Sequence, residues 1–167
     1  MKKTVLKFGL MSGGMSAAIL LCTAPLIIAH SHWADLFGYT GIVLSFLLVF
    51  FGIRSFREGN GGTVTFGRAV AVGVLIALIS TAFYIATWET LYFGWPGFAN
   101  EFEQCMIERV RETAGANADA QVAQIQQFLV LYRTPWKNVG MVFLEPFPVG
   151  VVMSLLAGFL LRTKRRA

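Results

Sequence analysis

Two carboxylates stand inside apolar runs of this chain. Glu89 lies near the end of the run from Ala69 to about Phe93, and Glu145 lies within the run from about Trp136 to Leu161. A charge at the centre of a helix in lipid costs about 2.5–3.5 kcal/mol on insertion scales, so such groups normally face protein or water. Pro146 and Pro148 directly follow Glu145. A proline offers no N–H and clashes with the carbonyl four residues back. The carbonyls of Val142 and Leu144 therefore lose their helical donors, and a kink or broken turn is expected. Freed carbonyls in lipid need other partners or a cavity. Glu145 beside such a break suits a proton-, cation- or substrate-binding role. As a neutral acid it can equally donate a hydrogen bond and do no more than hold the kink. Glu145 lies nine residues past Trp136, roughly 13 Å of helix at 1.5 Å per residue. Glu89 lies within about two turns of the end of its run. Both are expected in the same half of the membrane, where they can approach each other.

Other chemistry is sparse. His30 and His32 lie in a short polar stretch and are a weak metal signal. Cys22 falls in an apolar run and Cys105 in a polar one, so a disulfide between them is not expected, and no CxxC or Cys/His metal spacing occurs. HExxH, GxSxG and serine–lysine signatures are absent. No enzyme activity, metal or cofactor is expected on these grounds.

The elements that hold the two carboxylates are apolar helices. Charged residues are 14% of the 167 and hydrophobic residues 56%. Soluble domains carry about 25% charged residues, so this composition fits a chain solvated mostly by lipid. A helix needs about 20 apolar residues to cross the hydrocarbon core. Four segments qualify: Phe8 to about Ala29, Leu36 to Ile53, Ala69 to about Phe93, and about Trp136 to Leu161. The first is longer than the h-region of a signal peptide and ends without a small-x-small cleavage site, so it is expected to remain as a membrane helix. The expected fold is an all-α membrane protein, one domain over residues 1–167, with four transmembrane helices and an extramembrane amphipathic helical hairpin between the third and fourth.

Lys and Arg set the expected orientation. Lys2, Lys3, Lys7, Arg54, Arg57, Arg68, Arg162, Lys164, Arg165 and Arg166 fall on one side of a four-helix path. The other four, Arg109, Arg111, Arg133 and Lys137, fall on the opposite side or at its edge. The positive-inside rule puts both termini in the cytoplasm of a bacterial inner membrane. The net charge of +5 is topological, not a nucleic-acid footprint. The turn Ser55–Thr65 holds Gly59, Asn60, Gly61 and Gly62, lacks the GxxxxGK[ST] spacing of a phosphate loop, and offers Thr63 or Thr65 as a cap for the third helix.

The connection Gly94–Pro135 is the largest part expected outside the membrane. Phe98, Phe102, Met106 and Val110 recur every four residues, with Glu101, Glu103, Glu108 and Arg111 largely between them. Val122, Ile125, Leu129 and Tyr132 form a second stripe. Both patterns are amphipathic helices, which need a surface on which to bury their apolar faces. Rows of small residues, Gly9, Gly13 and Ala17 in the first segment and Gly150, Ser154 and Gly158 in the fourth, allow helix backbones to approach closely. They suit packing within one bundle, or a homo-oligomer. Tyr39, Trp88, Tyr92, Trp95 and Trp136 sit near the predicted outer boundary, as an aromatic belt would.

Several stretches resemble one bacterial family, catalogued as domain of unknown function 4199. They are the opening MKKTVLKFGLMSGGMSA, the run Ser45–Glu58 with the glycine-rich turn and Thr65-Phe66-Gly67 after it, Ala86-Thr87-Trp88-Glu89, and Phe143-Leu144-Glu145-Pro146-Phe147-Pro148-Val149-Gly150. The resemblance spans nearly the whole chain, least clearly over 95–134. It implies a four-helix bacterial membrane protein of unassigned activity and supplies no catalytic residue. The first functional expectation is a non-enzymatic scaffold or partner-regulating protein. Its partners would be the bilayer and a membrane protein or second copy, with no nucleic acid. The alternative is a small oligomeric transporter or proton-coupled channel using Glu145 and Glu89.

Overall fold

The computed structural model describes residues 1–29 and 33–163. His30, His32 and the basic residues Lys164, Arg165 and Arg166 lie outside the described residues. The described chain is helical: α1 (Lys2–Ile28), α2 (Trp33–Gly59), α3 (Phe66–Gly94), α4 (Phe98–Thr113), a single 3-10 turn (Gly115–Asn117), α5 (Ala118–Tyr132), α6 (Pro135–Phe143) and α7 (Pro146–Leu161). Four stretches are long and apolar enough to cross a membrane: α1, α2, α3 and the α6–α7 pair taken together. By composition the chain is thus a multi-pass membrane protein.

Small residues set the helix register. A Cβ built on Gly9 would meet Ile79, and one on Gly13 would meet Phe83, which runs α1 parallel to α3. Gly41 faces Ile19 and Gly52 faces Phe8, which runs α2 antiparallel to α1. Gly73 faces Ser154, Gly150 faces Ala77 and Phe46, and Gly158 faces Val70, which runs α7 antiparallel to α3. Gly9, Gly13, Gly150, Ser154 and Gly158 are therefore all used inside one bundle. Ala17 is half-buried on the same helix. Apolar side chains gain little from clustering when the solvent is lipid, so close backbone approach and hydrogen bonds hold such helices together. A buried serine cluster supplies the bonds. Ser12 Oγ donates to the Ser45 carbonyl at 2.7 Å and lies 3.0 Å from Ser80 Oγ, tying α1 to α2 and α3. Around it Phe46, Val49, Ile53, Val72 and Ile76 form the interior.

The end holding the start of α1 and the end of α7 is closed by the α2–α3 turn. Gly61 and Gly62 adopt φ of 68° and 79°, which side-chain-bearing residues rarely take. Thr163 exchanges two hydrogen bonds with Val64, at 2.9 and 3.0 Å, and fastens the end of α7 there. Thr65 occupies the N-cap position of α3 by backbone alone. Neither it nor Thr63 supplies the expected side-chain cap, and Thr63 Oγ1 instead donates to the Asn60 carbonyl.

At the other end, Trp95-Pro96-Gly97 stops α3, with Gly97 at φ 87°. Helices α4 and α5 pack on each other; α4 also touches α1 and α3, and α5 touches α6. The fourth span is not one helix. Pro146 cannot donate to the Val142 carbonyl, which takes the N–H of Glu145 in a tighter turn at 3.3 Å. Helix α6 ends at Phe143 and α7 restarts at Pro146, leaving Leu144 and Glu145 as the joint.

Candidate functional site

The helix ends nearest α4 and α5 enclose a cavity of about 370 Å³. Every major element except α7 contributes to its lining. Glu145 enters from the α6–α7 joint, Tyr84 and Trp88 from α3, Tyr39 from α2, Tyr132 from α5, Arg109 from α4 and Thr23 from α1. Its volume lies at the lower end of the range for small-molecule sites, about 300–1,000 Å³.

Glu145 sits at the break itself, where its N–H bonds the Val142 carbonyl three residues back while its side chain lines this wall. It is exposed, and its Oε2 accepts a hydrogen bond from Tyr84 Oη at 3.1 Å. Burial pushes the Tyr132 phenol up to about 12, with the charge of Glu145 next and Tyr39 after it. Tyr132 therefore stays protonated at neutral pH. Among the described residues three phenols and one carboxylate share this wall, which can accept from and counter-charge a cationic donor.

Behind the wall, packing is tight. Trp88 Nε1 donates to Asn138 Oδ1 at 3.0 Å, and Asn138 Nδ2 donates to the Tyr132 carbonyl at 2.8 Å, so α3, α6 and α5 are joined through one buried amide. Trp88 meets Phe102 edge-on at 5.0 Å and stacks on Tyr92 at 6.0 Å with 25° between planes. Both Trp88 and Tyr92 are buried. This corrects the belt assignment for these two: they are interior contacts beneath α4. Tyr39, Trp95 and Trp136 remain on the surface.

A second polar knot fastens α4 and α5 to the bundle. Glu103 is buried, although its place in the sequence reads as a polar helix face. It accepts from Tyr92 Oη at 2.7 Å, from Arg133 Nε at 3.0 Å and from Arg133 Nη2 at 2.6 Å. Burial alone would raise the Glu103 carboxyl, but the hydrogen bonds from Arg133 and Tyr92 outweigh it and hold it below the usual carboxylate range. The sequence signal for this knot is slight: Tyr92 and Arg133 sit within one turn of an element end, whereas Glu103 lies further inside α4.

Glu89 is placed elsewhere. Tyr84 and Trp88 define the cavity face of α3, and the next residue is turned about 100° from Trp88 by the helical period. Glu89 is half-buried, does not line the cavity, and has one shielded oxygen with no hydrogen-bond partner among the described residues. The expected approach of the two carboxylates is not seen at this cavity. Pro148 lies within the first turn of α7, and Pro146 opens it. Thr81, buried one turn from Tyr84, has a hydroxyl without a partner among the described residues. Among those residues no three His, Cys, Asp or Glu side chains gather as a metal site would require.

No curated protein and no solved structure matches this chain. A family model described as protein of unknown function (DUF4199) matches residues 7–163, nearly the whole sequence, and the chain belongs to that family.

Proposed function

We propose that this is a non-enzymatic membrane protein that binds a small ligand in the chamber beneath α4 and α5, and that ligand occupancy sets how those helices are presented to a partner. One observation carries the reading: Glu145 sits on an interrupted span and faces a cavity lined by all the surrounding helix ends. A span broken at a carboxylate has a cost in lipid that a packing role alone does not require. In this reading α4 and α5 form an amphipathic hairpin outside the membrane. The ten-to-four division of Lys and Arg supports cytoplasmic termini and a bacterial inner membrane. The hairpin is no empty groove, because Phe98, Cys105, Val122 and Leu129 are already buried. A partner would read its outer surface, where Val130 is 65% exposed.

A second reading, proton-coupled or small-molecule transport by an oligomer, draws on the same broken span. Flux in proteoliposomes separates the two: it is abolished by Glu145→Gln in a transporter and absent throughout for a binding protein.

Gly38 gives a clean test of the binding reading. It lines the cavity, and a Cβ built on it meets nothing within 4 Å. Gly38→Trp therefore places a bulky side chain at the chamber lining from an open Cβ position. Native mass spectrometry of gently extracted wild type should show one small adduct per chain, and Gly38→Trp should lack it. Equal adducts on both, or none on either, would refute the reading.

A further inference from the structure

The chamber's chemistry narrows the ligand. An aromatic-lined cavity with a carboxylate at its wall is the arrangement that recognises organic ammonium groups, through ring faces, phenol oxygens and a counter-charge. Here the carboxylate is Glu145, with Tyr84 bonded to it at 3.1 Å. Tyr39 and Tyr132 line the same cavity and lie close enough to couple electrostatically. Trp88 and Phe102 pack edge to face beside them, and both line the cavity. Arg109 lines it from α4, which adds one charge of the opposite sign.

From this juxtaposition we infer that the chamber binds the ammonium group of a small zwitterion against Glu145, with the ligand's anionic group toward Arg109. This rests on the ligand-binding reading above and specifies its ligand class. A carboxylate and a guanidinium on one wall set disfavour both a simple anion and a neutral hydrocarbon. The position at the helix ends, where a bilayer's polar region would lie, admits two sources of the same chemistry: the head group of a zwitterionic phospholipid, or a free amine-bearing solute.

The test uses the full chain in maltoside micelles, titrated by calorimetry with phosphocholine, with choline, and with the neutral isostere of choline in which a tert-butyl group replaces trimethylammonium. Phosphocholine and choline should bind saturably at one site, and the isostere should bind at least about tenfold more weakly. Glu145→Gln, which keeps the shape and the bond from Tyr84, should weaken both charged ligands at least about tenfold. Arg109→Gln should weaken phosphocholine and leave choline unchanged. Equal binding of choline and its isostere, or an unaffected Glu145→Gln, overturns the ammonium assignment while leaving a ligand chamber in place. Loss of every ligand together with identical adducts on wild type and Gly38→Trp removes the chamber itself. Nanodiscs distinguish the sources. Retention of phosphatidylethanolamine over phosphatidylglycerol by native mass spectrometry identifies a lipid head group. Binding of free phosphocholine with no lipid preference identifies a solute. Preferential retention of phosphatidylglycerol contradicts the proposal.

Discussion

Glu103→Ala should release α4 and α5 from the bundle while leaving the spans folded. The carboxylate accepts three hydrogen bonds, one from Tyr92 and two from Arg133. Tyr92 is 4% exposed, so its hydroxyl would be left buried and unpaired, at about 1–3 kcal/mol. The Arg133 side chain is 64% exposed and regains water, so its share is under about 1 kcal/mol. The total is about 1–4 kcal/mol. At 1.4 kcal/mol per tenfold, amides of 98–132 should exchange with solvent deuterium roughly 5- to 700-fold faster if they exchange by undocking. Amides of α1 and α2 near Ser12 and Ser45 should not change. Arg133→Ala takes two of the three hydrogen bonds from the buried Glu103 carboxylate and leaves its charge uncompensated, so it should accelerate the same amides as well. Exchange over 98–132 within about threefold of wild type would refute the knot as the docking determinant. So would wild-type exchange in Arg133→Ala, because the buried carboxylate would then not depend on its cation.

Acid should loosen the same region. The folded-state value of Glu103 is lowered, so its stabilisation is present above the ordinary carboxylate range, about 4.3, and is lost as pH falls from there through the lowered value. Intrinsic-rate-corrected exchange over 98–132 should be flat from neutral pH to about 5 and rise below about 4, and Glu103→Gln should lose that dependence. Gly150→Ala should lower the unfolding temperature in micelles by the equivalent of about 1–3 kcal/mol, because the new Cβ would meet Ala77 Cβ at 2.6 Å and the Phe46 ring at 2.9 Å. Gly14→Ala, with nothing within 4 Å, should not lower it. Thr81→Val should stabilise by about 1 kcal/mol, since it replaces an unpartnered buried hydroxyl with an isosteric methyl; a loss of stability would mean that the hydroxyl has a partner.

The parts of this fold that are legible in the sequence are those set by short-range rules. Span length and apolarity mark four membrane helices. The four-residue spacing of Gly9 and Gly13, and of Gly150, Ser154 and Gly158, marks surfaces where backbones can meet. Pro146 and Pro148 mark where backbone bonding must change. The site is less legible because its members come from separate elements. Tyr39, Arg109 and Tyr132 have no mutual spacing to read, and only the packed bundle brings them to one cavity with Glu145. Trp88 and Tyr92 sit at a height in the bundle where a belt residue would sit, and burial beneath α4 is what makes them interior. Glu103 sits between apolar positions of α4, and its burial follows from partners eleven and thirty residues away. Glu89 and Glu145 look alike in the sequence, yet a turn of about 100° past Trp88 carries Glu89 off the cavity face.

The central claim is that Glu145 is the counter-charge of a ligand held in the chamber. Solid-state NMR on the full chain in bilayers, with carbon-13 in the glutamate carboxyls and nitrogen-15 in phosphocholine, tests it most directly. The account predicts a dipolar contact within about 6 Å that disappears in Glu145→Gln and in Gly38→Trp. Saturable binding of phosphocholine with no such contact, or with a contact that persists in Glu145→Gln, would contradict it.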